Sequence, residues 1–277
     1  MRQMALVAAV LLGLSAPAEA QMVQGSVEQA VKPSWRTVWD QTGPTGFVGR
    51  KWQPTETLVT LEAGPTDWLT AKFKFTADSN MTTPREIIQP GTLEVRPESA
   101  VNWQGGSISE REFIIRLNPV PKVAVVRHLG ILVGYRDFVL NEHFTVLFNK
   151  VPIQENQWQY RYQGWLVGAS GRLATGRVSA DGQIAWLTHA TRTDSQIASL
   201  FRTRPTSGAT STQTQGFEAD ITGRFKIYEW VFVNGGYAFE KLTTPNGNFT
   251  IGIRPYPVRE WLIGHTATVG IGAHVSF

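Results

Sequence analysis

The 277-residue chain has no cysteine. Its order therefore comes from a packed core or a closed hydrogen-bond network, not from disulfides. Long hydrophobic runs are missing too. Beyond the first residues, no segment approaches the roughly 20 apolar residues of a membrane-crossing helix. Runs of one charge are also absent: 26 Lys and Arg stand against 22 Asp and Glu, spread along the chain. That argues against nucleic acid as a partner. The five histidines (His128, His143, His189, His265 and His274) show no i, i+2 or i, i+4 spacing, so no metal site is expected. Gly168-Ala169-Ser170-Gly171 lacks the Lys-Ser/Thr of a phosphate loop. No cofactor is expected either.

What is present is alternation. At the start, Arg2, the apolar stretch Met4–Leu14 and Ala18-Glu19-Ala20 read as a secretory signal peptide over residues 1–20. Residues 21–54 carry Trp35, Trp39 and Trp52 but little pattern, and are expected to be a periplasmic or plug-like segment. From Thr55 onward, apolar and polar residues alternate with a period of two. Lys72 and Lys74 oppose Phe73 and Phe75. His128, Gly130, Gly134 and Arg136 oppose Leu129, Ile131, Val133 and Tyr135, with Leu132 out of pattern. Gln157, Gln159, Arg161 and Gln163 oppose Trp158, Tyr160 and Tyr162. Glu218, Asp220, Arg224 and Lys226 oppose Phe217, Ala219, Ile221 and Phe225, and Glu240 opposes Tyr237 and Phe239. Turns are expected at Asn141-Glu142, Ala180-Asp181-Gly182 and Tyr228-Glu229. Thr193–Gln215 and residues 243–260 are expected to be external loops. The last strand carries Ala267, Val269, Ile271, Ala273, Val275 and Phe277 on one face and small or polar residues on the other.

An export signal, alternating strands and a terminal Phe277 in phase with Val275 make a pattern that resembles bacterial outer-membrane β-barrel proteins. The resemblance covers the signal and, in pattern, most of the chain from Thr55. It implies an all-β, closed antiparallel transmembrane barrel over 55–277 with about twelve strands, or ten or eight if the weak ones merge. It also implies location in the outer-membrane bilayer, and delivery by periplasmic chaperones and the barrel-assembly machinery. Gly272, Val275 and Phe277 would then form the assembly signal. The polar phase, with Lys72, Lys74, Arg136, Arg161, Glu218, Asp220, Arg224, Lys226 and Glu240, would face the lumen. Phe73, Phe75, Tyr160, Tyr162, Phe217, Phe225, Tyr237 and Val275 would face lipid.

The function expected is non-enzymatic: a small pore, or a structural, surface-exposed protein with charges paired across a self-filled lumen. One alternative is a soluble lipocalin-like β-protein with the faces reversed. The other is an outer-membrane lipid hydrolase. His274 and Ser276 share a face, but the His-x-Ser-Asn and His-Gln-Ser-Asn-Gly strings of such hydrolases are missing.

Overall fold

The computed structural model of the protein describes residues 22–41, 47–66, 69–81, 85–88, 93–95, 101–120, 126–200, 206–251 and 254–276. Among these the strands are β1 (Met22–Gln41), β2 (Phe47–Trp52), β3 (Thr55–Thr66), β4 (Leu69–Asn80), β5 (Arg85–Ile88), β6 (Leu93–Val95) and β7 (Val101–Val120). They continue with β8 (Val126–Phe148), β9 (Val151–Thr175), β10 (Val178–Leu200), β11 (Thr206–Lys226), β12 (Val231–Ile251) and β13 (Arg254–Ser276). Neighbours pair antiparallel, and β13 returns to pair with β1 from Met22↔Ser276 upward. The ring β1-β3-β4-β7-β8-β9-β10-β11-β12-β13 closes a ten-stranded barrel. Closure removes the free edges that an open sheet of this size would expose. We call the end carrying Met22 and Ser276 lower, and the end carrying Gln41 upper.

The extra strands are a local elaboration of one wall. β3 pairs with the lower half of β1, from Met22↔Gly64 to Gln29↔Thr57. β2 pairs with its upper half, from Trp35↔Trp52 to Asp40↔Phe47. Gln53-Pro54 separates the two, and Pro54 has no N–H to give a continuous ladder. β5 and β6 continue the sheet beyond β2.

Several expectations are corrected. Residues 22–41 do not form a plug or a separate segment. They are the first wall strand, and their alternation is masked by a register shift between Val31 and Ser34, around Lys32 at φ 49. The barrel therefore begins at Met22, not at Thr55. Thr193–Gln215 is no loop where it is described: Thr193↔Ser211 through Ala198↔Thr206 extend the β10–β11 ladder. Residues 243–260 likewise continue β12 and β13. Such stretches lack a hydrophobic period, and backbone pairing between neighbours carries them. The turn expected at Asn141-Glu142 lies at Asn149-Lys150, where both residues have positive φ, as a two-residue I′ hairpin requires. The one expected at Asp181-Gly182 lies at Gly176-Arg177, with Gly176 at φ 53. Asp181 is instead an inward strand residue. The signal peptide over residues 1–20 lies outside the described residues.

The outer face divides by height. The lower half carries an apolar band that includes Val27, Phe113, Ile131 (55% exposed), Val167, Ile184, Ile221, Val269 and Ile271. Its upper border is aromatic. Tyr135 meets Trp165 edge-on at 5.6 Å, and Trp186, Phe217, Phe239 and His265 follow one another at 5.8, 6.3 and 5.1 Å. Tyr228 and Trp230 mark the lower rim. Above the band the outward residues are polar, including Asn141, His143, Gln157, Gln159 and Arg161.

Candidate functional site

The chemistry of this barrel is concentrated in its lumen, in layers. At the base, Glu62 on β3 meets three arginines from other strands: Arg172 at 3.1 Å, Arg224 at 3.5 Å and Arg116 at 3.7 Å. Asp181 holds Arg172 at 2.6 Å and also pairs with Arg224. Gln24 donates to Glu62 at 2.5 Å, and Arg116 donates to Gln183 at 2.7 Å. Each of these residues lies in the inward phase of its strand, so alternation alone aims them at one another.

The middle layer centres on Arg136 of β8. Its guanidinium reaches Glu110 on β7 at 3.0 Å, Glu218 on β11 at 3.0 Å and Glu240 on β12 at 2.5 Å. Lys74 pairs with Glu110 at 3.2 Å, and Lys72 lies 3.9 Å from both Glu112 and Asp220. β4 and β11 stand on opposite sides of the ring, so the Lys72–Asp220 pair spans its full width. The cavity left between these groups is about 70 Å³ and is lined by Lys72, Glu112, Arg116, Asp181, Asp220 and Arg224 among others. That is room for a few waters. Charges held this way are fixed. A carboxylate already bridged to one or more cations is a poor nucleophile, but a good partner for a wall strand across the lumen.

Above lies an aromatic and aliphatic plug. Trp35 packs on Phe138 at 4.7 Å, Phe138 on Tyr162 at 6.0 Å, and Leu140, Leu187, Leu242 and Leu262 fill in around them. A Cβ at Gly264 would lie 2.7 Å from the Trp35 ring, so glycine there is what admits the indole. Within the plug Arg192 donates to Asp194 at 2.5 Å, pairs with Glu260, and stacks over Tyr160 at 4.9 Å. At the mouth Arg50 pairs with Glu142 at 3.0 Å and sits 5.3 Å from the Phe144 ring centroid. Burial pushes the Glu142 carboxyl up from its usual range against the opposing pull of Arg50, with Glu260 adding to the rise.

The structure brings seven of the nine expected lumen charges together: Lys72, Lys74, Arg136, Glu218, Asp220, Arg224 and Glu240 line one cavity. The other two are corrected. Arg161 points outward, where it makes a paired contact with Asp137 at 2.8 and 2.7 Å. Lys226 ends β11 at the exposed lower rim. Tyr160 and Tyr162, expected on the outside, are buried in the plug. For Arg161, Tyr160 and Tyr162 the reason is the same: above the apolar band, polar residues turn out and aromatics turn in. Phe225, Tyr237 and Val275 are outward and exposed. Phe277 lies outside the described residues, and Gly272 sits beneath Phe232, whose ring a Cβ would overlap. His274 Nδ1 lies 3.3 Å from the Glu229 carbonyl. Sequence reading missed Glu62, Glu110, Glu112, Arg116, Arg172 and Asp181. The alternation Glu110, Glu112, Arg116 against Phe113, Ile115, Leu117 was signal enough for three of them.

No family model matches this sequence, and none of the curated proteins matches it. Among solved structures, it is similar to the outer membrane protease OmpT from Escherichia coli, with 9% identity, 92% of this chain and 97% of that chain covered, and a TM-score of 0.59. The translocator domain of the autotransporter NalP from Neisseria meningitidis aligns with 13% identity over 98% of this chain and 94% of that chain, with a TM-score of 0.44. A major outer membrane protein from Thermus thermophilus aligns with 10% identity over 93% of this chain and 100% of that chain, with a TM-score of 0.42. The fold is thus that of bacterial outer-membrane β-barrel proteins.

Proposed function

We propose that this is a non-enzymatic integral outer-membrane barrel with a closed lumen, acting as a structural, surface-exposed protein and not as an open pore. The single observation carrying the reading is Arg136, which ties β8 to β7, β11 and β12 across the lumen, beneath the Trp35–Phe138–Tyr162 plug. Membrane insertion is supported by the outward apolar band. It runs from Trp165 to Leu173 on β9 and from Val178 to Trp186 on β10, close to the ~9–11 residues a tilted strand needs to cross a hydrocarbon core. A closed ring is the one β-structure that satisfies every backbone group there. β9 is 25 residues long, so its upper part would rise on the order of 30–40 Å beyond the band at the usual strand rise and tilt.

Planar-bilayer recording tests this reading. The intact protein should show no steady conductance, and Arg136→Ala should introduce intermittent openings. A large steady conductance of the intact protein would replace the closed barrel by a pore. Cleavage of added peptide or lipid by the purified barrel would overturn the non-enzymatic assignment.

A further inference from the structure

The charges around the lumen cavity do not balance. Of the side chains lining it, eight are carboxylates and five are lysines or arginines. Glu62 and Arg172, just beneath, add one of each sign. The cations are all engaged. Lys74 pairs with Glu110, Arg136 with Glu110, Glu218 and Glu240, and Arg116 and Arg224 both reach Glu62. Lys72 lies between Glu112 and Asp220.

Two carboxylates are left with neutral partners. Glu28 accepts from Ser26 at 2.9 Å, Asn234 at 2.6 Å and Thr268 at 2.9 Å, so hydrogen bonds stabilise its charge in place. Glu56 accepts only from the Trp35 indole, at 3.1 Å, and is buried. Among the described residues neither forms an ion pair. Glu56 interacts electrostatically with Glu110, Lys74 and Glu240, and two of those three repel it. Further round the cavity, Oε1 of Glu240 and Oε1 of Glu112 are buried with no hydrogen-bond donor. An excess of negative charge in a space with room for only a few waters is unfavourable unless more positive charge enters.

That charge has a place to sit. The cavity of about 70 Å³ is also lined by Thr60, Thr222, Thr266 and Thr268, whose oxygens, like the carboxylates, suit a hard cation. Among the described residues, no three acidic or histidine side chains converge as a tightly coordinated metal ion requires. The arrangement therefore suits a small monovalent ion that keeps part of its water shell, not a divalent one.

We propose that the lumen cavity binds a sodium-sized monovalent cation, held by the carboxylate of Glu56 and by Oε1 of Glu240. The proposal rests on the closed-lumen reading above. The ion would tie β3 to β12 from inside, as Arg136 ties β8 to its partners.

The test is urea titration of the full barrel folded into phosphatidylcholine vesicles, at constant ionic strength, with tetramethylammonium chloride exchanged stepwise for sodium chloride. Tetramethylammonium is too bulky to settle among the lumen oxygens. Sodium should raise the folding equilibrium constant, approaching about tenfold for each tenfold rise in its concentration. Glu56→Gln keeps an acceptor for Trp35 and removes one charge, so the same rise should need roughly tenfold more sodium. Glu240→Gln should act in the same direction. Each variant is read by its own response to sodium, so a change in its absolute stability does not mask the result. Asp137→Asn removes a carboxylate from the outer wall and should respond as the wild type does. Equal stability in the two salts, with no conductance in planar bilayers, would overturn the cation site and leave the closed lumen standing. A steady conductance would overturn the closed lumen, and the site with it.

Discussion

Strand β9 holds two different proteins end to end. Below Gly164 its outward residues are Trp165, Val167 and Leu173 and its inward ones are Ser170 and Arg172. Above Gly164 its outward residues are Gln157, Gln159, Arg161 and Gln163 and its inward ones are Trp158, Tyr160 and Tyr162. The side-chain phase never changes, since even-numbered residues stay inside throughout. What changes is the composition of the outer face, apolar below and polar above. In the lower half the barrel is apolar out and charged in. In the upper half it is built like a water-soluble protein, with a dry core and a wet surface. Ion pairs cross the lumen in the lower half, and packed aromatic and aliphatic side chains fill most of it in the upper half.

That difference can be broken from either end. The largest effects are expected from the groups that bridge the lumen. Arg136→Ala leaves Glu110, Glu218 and Glu240 without their shared cation, and removing one partner of a buried charge cluster costs about 3–5 kcal/mol. Phe138→Ala, in the upper plug, should cost a similar ~3–5 kcal/mol for a wholly different reason, a cavity against Trp35 and Tyr162. Urea titration of folding into vesicles measures both. The distinguishing readout is a second substitution: neutralising one stranded carboxylate with Glu240→Gln should recover part of the Arg136→Ala loss and recover nothing in Phe138→Ala.

A second comparison uses one substitution at two heights. Ile131→Arg, in the middle of the apolar band, should destabilise by roughly 2–4 kcal/mol. Gln159→Arg, on the same face above the band, should lie near zero. The same titration checks it, and equal effects at the two sites would remove the basis for dividing the barrel by height.

This division also explains what was legible in the sequence. Alternation is a local property, so the strands, the lower outward face and seven inward charges could be read from residue types alone. Which face turns inward is not local. Nothing in Trp158–Tyr162 says that its rings pack inside the barrel, and the expectation of an aromatic outer face there followed from treating the whole barrel as one slab. β1 was missed for a different reason. The bulge around Lys32-Pro33 shifts the phase between Val31 and Ser34, and a period-two pattern interrupted in the middle looks like no pattern. The Asp181-Gly182 turn signal was misleading because Asp181 is held by Arg172 and Arg224. A tertiary ion pair there outweighs a local turn preference, which Gly176 meets five residues earlier.

A smaller effect is expected from the pH response of Glu142 in the upper half. Burial raises the Glu142 carboxyl above its ordinary value of 4.5. A raised acid binds its proton more tightly folded than unfolded, so this group's contribution to stability falls as pH climbs from about 4.5 through the raised folded value. The slope from one such group is at most about 1.4 kcal/mol per pH unit. Glu142→Gln keeps the shape and cannot ionise. Thermal unfolding followed across that range should decline with pH in the wild type and decline less in the variant.

The smallest effect should come from Arg161, the lumen candidate that points outward on the wall. Arg161 makes two short hydrogen bonds to Asp137, at 2.8 and 2.7 Å, yet its side chain is 44% exposed. An exposed ion pair gains little in high dielectric and loses side-chain freedom, so it contributes about 0–1 kcal/mol. Arg192 has comparable geometry, with Asp194 at 2.5 Å and Glu260 beside it, but only 5% of its side chain is exposed. Removing it strands carboxylates in the plug and should cost several-fold more. A double-mutant cycle on Arg161 and Asp137, set beside one on Arg192 and Glu260, measures the contrast directly. Coupling energies of similar size would mean that the upper plug is wet, and that the upper half is not held by dry packing after all.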